Sequence, residues 1–131
     1  MVVALAVVLA GSAAVASASA PLPVAAYHGG CTYSLGSPYV SASRIAGSGN
    51  VSCSAHNLYL QVQILRETTY LGYDWQVVAD TGYVYGNGYV SATAYSANCS
   101  GTGKRYQVRI NYYDGFEYYG WYYSTIRFLS C

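Results

Sequence analysis

Charge is what this sequence has least of. Charged residues make up 8% of the 131, six Lys and Arg against five Asp and Glu, for a net charge of +1. So few cations exclude a nucleic-acid binder driven by counterion release from phosphates, and equally a polybasic membrane-surface protein. Good helix formers are scarce as well, with one Met, two Glu and a sole lysine, Lys104. The only histidines are His28 and His56, and there is no Gly-x-Ser-x-Gly elbow, so acyl transfer lacks its usual residues. No two cysteines are spaced Cys-x-x-Cys, which removes the common zinc pattern. Asp114 and Glu117, the closest carboxylates in the sequence, flank Gly115 and Phe116 and read as a solvated hairpin tip rather than a catalytic pair. No catalytic residue, metal ligand or cofactor is assigned.

What the chain does have is tyrosine and glycine, 17 and 14 respectively, which is the composition of β-structure with tight turns. Its first 20 residues carry no charge and run from an apolar stretch, Met1 to Ala10, into Gly, Ser and Ala. That pattern reads as a secretory signal, cleaved after Ala18 or after Ala26, and too short in its apolar part to span a membrane. A basic start is missing, so Met1 is expected to sit inside a longer signal. Membrane contact is limited to this segment before cleavage, and the mature protein is expected outside the cell. Residues 21–30, with Pro21, Pro23, Gly29 and Gly30, read as an extended arm or spacer.

Four cysteines follow, Cys31, Cys53, Cys99 and Cys131. An even number in a small exported chain reads as two disulfides, with three pairings possible. Sequential pairing would close one early and one late loop, each adding about 3 kcal/mol to a small core. Pairing of Cys53 with Cys99 around Trp75 would instead give an immunoglobulin-like topology.

Residues 31–131 alternate with period two. Leu58, Leu60, Val62 and Ile64 fall on one face and Tyr59, Gln61 and Gln63 on the other. Trp75, Val77 and Ala79 share a face, and Tyr106, Val108, Ile110 and Tyr112 oppose Arg105, Gln107, Arg109 and Asn111. Weaker strands are expected at 39–46, 50–55, 83–85, 89–97 and 121–130. Turns are expected at 47–50, 86–88, 100–103 and 114–115. About eight short strands at this spacing predict an all-β fold, an antiparallel β-sandwich stapled by two disulfides.

Adjacent strand residues face opposite sides, so each of the doublets Tyr112/Tyr113, Tyr118/Tyr119 and Tyr122/Tyr123 sends one ring inward and one outward. Some aromatic surface must therefore be exposed. The candidate binding residues are Tyr83, Tyr85, Tyr89, Tyr113, Tyr118, Tyr119, Trp121 and Tyr123, with Tyr85 and Tyr89 facing each other across a three-residue loop. Tyrosine offers large rigid contact area with a polar tip. Arg105, Arg109 and Arg127 would serve at the rim.

Four stretches carry a resemblance: Gly-x-Gly-x-Val-x-Cys at Gly47 to Cys53, Leu60 to Arg66, Cys-Ser-Gly-Thr-Gly at Cys99 to Gly103, and the final Cys131. Together they resemble small secreted two-disulfide β proteins of actinobacteria, one group of which is similar to the adaptor subunit of antibacterial umbrella toxin particles. That resemblance implies a non-catalytic connector whose partner is another secreted protein. A secreted hydrolase inhibitor, inserting 69–75 or 113–121, and a glycan-binding module stacking Tyr and Trp121 on sugars are the alternatives.

Overall fold

A computed structural model describes residues 24–28, 30–68, 74–99, 103–115 and 118–131. The expected signal lies outside these residues, as do most of the proposed inhibitory loop at 69–73, the turn residues 100–102, and Glu117. Nine strands form: β1 Val24–His28, β2 Cys31–Leu35, β3 Tyr39–Ser41, β4 Arg44–Glu67, β5 Trp75–Asp80, β6 Val84–Tyr95, β7 Lys104–Tyr113, β8 Tyr118–Tyr123 and β9 Arg127–Leu129. Every pairing among them is antiparallel, and no helix occurs among the described residues.

The organising element is β4, 24 residues long. Along one edge it pairs in turn with β3, β2 and β7, and along the other with β6 and then β5. Its pairing with β6 jumps from Ser52↔Tyr89 to Asn57↔Asn87, so four residues of β4 stand opposite Gly88 alone. A bulge of this size bends the strand. It also switches which residues point inward: Val51 and Cys53 before it, Leu58, Leu60, Val62 and Ile64 after it. The sheet is thereby folded on itself, and its two halves enclose one core to which Ile45, Val51, Leu60, Ile64, Val108, Ile110 and Tyr112 contribute, all fully buried. The expected all-β antiparallel class holds, with both layers continuous through one strand.

Two glycine-rich stretches expected as turns are strand interiors. A Cβ on Gly47 would run into Val108 Cγ2, and one on Gly49 would lie 2.9 Å from Ile110 Cγ2. These glycines let the two layers approach closely, which is the other use of glycine in a strand. Gly86 and Gly88 lie within β6; a side chain on Gly86 would strike the Tyr89 carbonyl, and Gly88 takes φ +80 opposite the bulge. Tyr85 and Tyr89 consequently belong to one strand and do not face each other.

Three further expectations are corrected. The arm is not free, because Val24–His28 pairs residue by residue with β2, from Val24↔Leu35 to His28↔Cys31. In β5 the register slips between Ile64 and Leu65 of its partner, so Val78 and Ala79 pack on the core while Val77 is exposed. The stretch 121–130 breaks into β8 and β9, since the Val108 N–H donates to Ser124 Oγ at 2.9 Å where the strand would otherwise continue.

The disulfides join Cys31 to Cys53 and Cys99 to Cys131, which excludes the immunoglobulin-like pairing. The first is a direct cross-strand pair of β2 and β4 with Cα atoms 4.3 Å apart, and both its residues are buried.

Two local features oppose stability. The β3–β4 hairpin turns on Ala42 and Ser43, both in the left-handed region at φ 49 and 66. Such a two-residue turn favours Asn-Gly, and a non-glycine residue there costs about 1–2 kcal/mol. The double variant Ala42→Asn/Ser43→Gly is expected to gain about 1 kcal/mol in urea unfolding.

The second is Tyr112, fully buried, whose hydroxyl has no hydrogen-bond partner among the described residues. Burial, reinforced by the neighbouring Tyr122 and Tyr119 phenols, holds its pKa well above the ordinary 10.0. Above about pH 10 the unfolded chain releases this proton while the folded protein keeps it, so stability falls as pH rises from there and is untouched below. Tyr112→Phe is expected to stabilise the protein by about 1 kcal/mol at neutral pH and to flatten the decline between pH 10 and 11. Urea unfolding at neutral pH, at about pH 10 and at about pH 11 reads both effects.

Candidate functional site

The inward face of the second half-sheet is apolar, which leaves its outward face to the other residues of β6, β4, β7 and β8. There the register aligns four tyrosines across four neighbouring strands: Tyr85↔Tyr59, Tyr59↔Tyr113 and Tyr113↔Tyr118. Exposure is 55% and 52% at the ends, Tyr85 and Tyr118, and 37% and 38% in the middle, Tyr59 and Tyr113. Tyr59 is flanked by a ring on each side, and the register carries the row on from Tyr113 to Tyr118. Centroids of Tyr59 and Tyr85 are 5.3 Å apart with planes tilted by 57°, and those of Tyr59 and Tyr113 are 6.2 Å apart with a 39° tilt. Rings in this arrangement cover part of one another's faces, so edges and hydroxyls dominate the surface.

Behind the ridge lies a polar network. One step along, Gln61 pairs with Asn111, whose Nδ2 donates to Gln61 Oε1 at 2.9 Å while Tyr83 Oη donates to Asn111 Oδ1 at 2.7 Å. Another step brings Gln63 opposite Arg109, whose Nε donates to Gln63 Oε1 at 2.8 Å. Asp80, at the end of β5, receives Gln61 Nε2 at 3.0 Å, Gln63 Nε2 at 2.8 Å and the Gly82 N–H at 2.8 Å. Burial pushes the Asp80 carboxyl up, but these three hydrogen bonds and the Arg109 charge outweigh it and hold the group below the usual carboxylate range. The Arg109 guanidinium also lies 3.9 Å over the Trp121 ring. Each amide thus has its orientation fixed by a neighbour, and the surface is preorganised.

Of the candidate residues, Tyr83, Tyr85, Tyr113, Tyr118, Trp121 and Tyr123 lie on this half-sheet or reach over it. Tyr89 is 55% exposed but pairs with Ser52, beyond the bulge and on the other half. Tyr119 is corrected to a core residue: its ring lies 4.7 Å from that of Tyr112, and its hydroxyl donates to Asp114 Oδ2 at 3.0 Å. Asp114 is itself buried and not a solvated tip. Arg105 pairs with Glu67 at 3.0 Å, and Arg127 donates to the Pro38 carbonyl at 3.2 Å, holding β9 to the β2–β3 connection. The doublets divide as expected, with Tyr112 and Tyr119 buried, Tyr122 against the core, and Tyr113, Tyr118 and Tyr123 exposed.

Tyr59, in the middle of the row, was placed on the outer face by its alternation but not singled out. Gln61, Gln63 and Asp80 were missed as a site altogether, because their significance comes from cross-strand register. The backbones of His28 and His56 lie in β1 and β4. No group of three His, Cys, Asp or Glu among the described residues is placed to hold a metal ion. No protein-family model matches the chain, and no curated protein matches it.

Proposed function

We propose that this is a secreted, non-catalytic module that binds another extracellular protein through the tyrosine row of β6, β4, β7 and β8. The observation that carries the reading is the register of Tyr85, Tyr59, Tyr113 and Tyr118, which gathers four exposed rings into one rigid ridge. Ring edges and phenol hydroxyls suit a protein partner, whose backbone carbonyls accept from tyrosine tips and whose apolar side chains pack between them. A sugar-stacking site needs free ring faces. Here neighbouring tyrosines cover one another, and Arg109 occupies one face of Trp121.

Two disulfides suit an oxidising compartment, and secretion through the N-terminal segment follows the same reading. Cleavage after Ala18 leaves β1 whole, whereas cleavage after Ala26 removes three of its five residues. The resemblance to umbrella-particle adaptors supplies the narrower form of the proposal, a connector within an extracellular toxin assembly.

The test is affinity purification of the tagged protein from its producing culture, beside a Tyr59→Ala/Tyr113→Ala variant checked for an unchanged melting curve. A stoichiometric partner is expected with the parent chain, and its affinity is expected to fall by at least about 30-fold in the variant, corresponding to about 2 kcal/mol at a central aromatic anchor. A chain that purifies alone, or a partner retained equally by both forms, overturns the proposal.

A further inference from the structure

Oxidants normally meet cysteine and methionine before other side chains. The secreted form proposed above offers them neither, since all four cysteines are in disulfides and the sole methionine, Met1, lies in the segment removed as a signal. Oxidising equivalents that reach the folded surface therefore pass to aromatic rings, and the outer face presents four tyrosines in a line. Within that line Tyr59 and Tyr85 are the closest pair, 5.3 Å between centroids, against 6.2 Å for Tyr59 and Tyr113. Their 57° tilt is that of a twisted biaryl rather than a flat stack. Tyr85 Oη donates to Asn57 Oδ1 at 2.8 Å, two residues before Tyr59 on the same strand, which pins the Tyr85 ring against its neighbour.

We infer that Tyr59 and Tyr85 form an oxidative coupling site, at which hydrogen peroxide acting through an extracellular haem peroxidase closes a dityrosine bond between β4 and β6. Each phenol gives up one electron and one proton, leaving two phenoxyl radicals. These join through an ortho carbon of each ring, and the ortho hydrogens then shift to the oxygens, restoring both phenols. The sum is a loss of two electrons and two protons. Hydrogen peroxide takes up both, its O–O bond breaks, and two waters leave.

Access and proximity together select this pair. Tyr112 and Tyr119 are closer, at 4.7 Å, but both are buried from an enzyme-sized oxidant. Tyr33 and Tyr122, at 4.4 Å, are packed against the core. Tyr89 is as exposed as Tyr85, yet its cross-strand neighbour is Ser52. Tyr113 extends the accessible row on the other side of Tyr59, so a radical formed there has a neighbouring ring through which to reach the pair. The bond would be a third covalent staple on the face opposite the core, and it requires no binding partner there.

The experiment treats the dilute, monomeric protein with a haem peroxidase and hydrogen peroxide, then follows dityrosine fluorescence and maps cross-linked peptides by mass spectrometry. One intramolecular product is expected, lighter by two hydrogens and linking the peptides that carry Tyr59 and Tyr85. Tyr85→Phe keeps the ring and the fold but removes the phenol, and is expected to abolish the signal; Tyr89→Phe is expected to leave it unchanged. Coupling found instead at Tyr33 and Tyr122, cross-links only between chains, oxidation confined to tryptophan, or a signal that survives Tyr85→Phe overturns the inference.

Discussion

With Cys31 and Cys53 both replaced by alanine, the protein is expected to lose about 3–5 kcal/mol, most of the stability a domain of this size possesses. The chain-entropy contribution for a separation of 22 residues is about 3 kcal/mol. The separation of 32 for Cys99 and Cys131 would give only about 0.3 kcal/mol more, so loop length does not rank the two bridges. Packing does. Cys31 and Cys53 are 0% and 3% exposed and belong to the core, whereas Cys131 is exposed. Removing the first bridge opens a void between β2 and β4 in addition to freeing the chain; removing the second releases mainly the end beyond β9. Urea unfolding of the two double-alanine variants checks the order, and an equal or larger loss from the Cys99/Cys131 variant would contradict it.

The second large effect is expected at Gly47. Valine there places a branched side chain where Val108 Cγ2 already sits, with Val108 Cγ1 and Ile64 Cγ1 at 3.3 and 3.4 Å from the new Cβ. None of these is the free end of a flexible chain, and both residues are fully buried. Overpacking of this kind costs about 1–3 kcal/mol, and more where the layers must separate. Gly47→Ala is expected to show a smaller loss, and adding Val108→Ala should return part of it, because the space removed by one substitution is vacated by the other. A double-mutant cycle in urea measures that coupling. Additive effects would mean that the two layers do not meet where Gly47 lies.

These glycines show where sequence reading succeeded and where it stopped. The inward face of Leu58, Leu60, Val62 and Ile64 and the split of the tyrosine doublets were legible, because both follow from the two-residue period of a strand. Gly47 and Gly49 read as a turn in the sequence because glycine serves two purposes, and only the position of Val108 and Ile110 tells which one applies. The continuity of Arg44–Glu67 and of Val84–Tyr95, each of which reads in the sequence as separate short strands, follows from the same ambiguity. The exposure of Tyr85, Tyr113 and Tyr118 is legible in the sequence, but their alignment with Tyr59 is not. Tyr59 lies next to Tyr85 and Tyr113 through pairings across 26 and 54 positions of sequence, and no local pattern encodes register over such distances. Asp80 gathers Gln61 and Gln63 for the same reason. Tyr119 departs from the sequence expectation because one extra residue at the β7–β8 irregularity shifts the alternation between it and Tyr122.

The long bent strand has a further consequence, for the route by which the chain acquires its structure. Five of the other eight strands hydrogen-bond directly to β4, and the remaining three reach it through β2 or β7. The hairpins β1–β2, β3–β4 and β7–β8 can close locally, but the two halves acquire a common interior only once β6 and β7, from far along the sequence, have docked on both edges of β4. Closing such distant contacts makes folding slow and all-or-none. Neither half can be dismissed as an independent unit, because each is completed by a segment of the same strand.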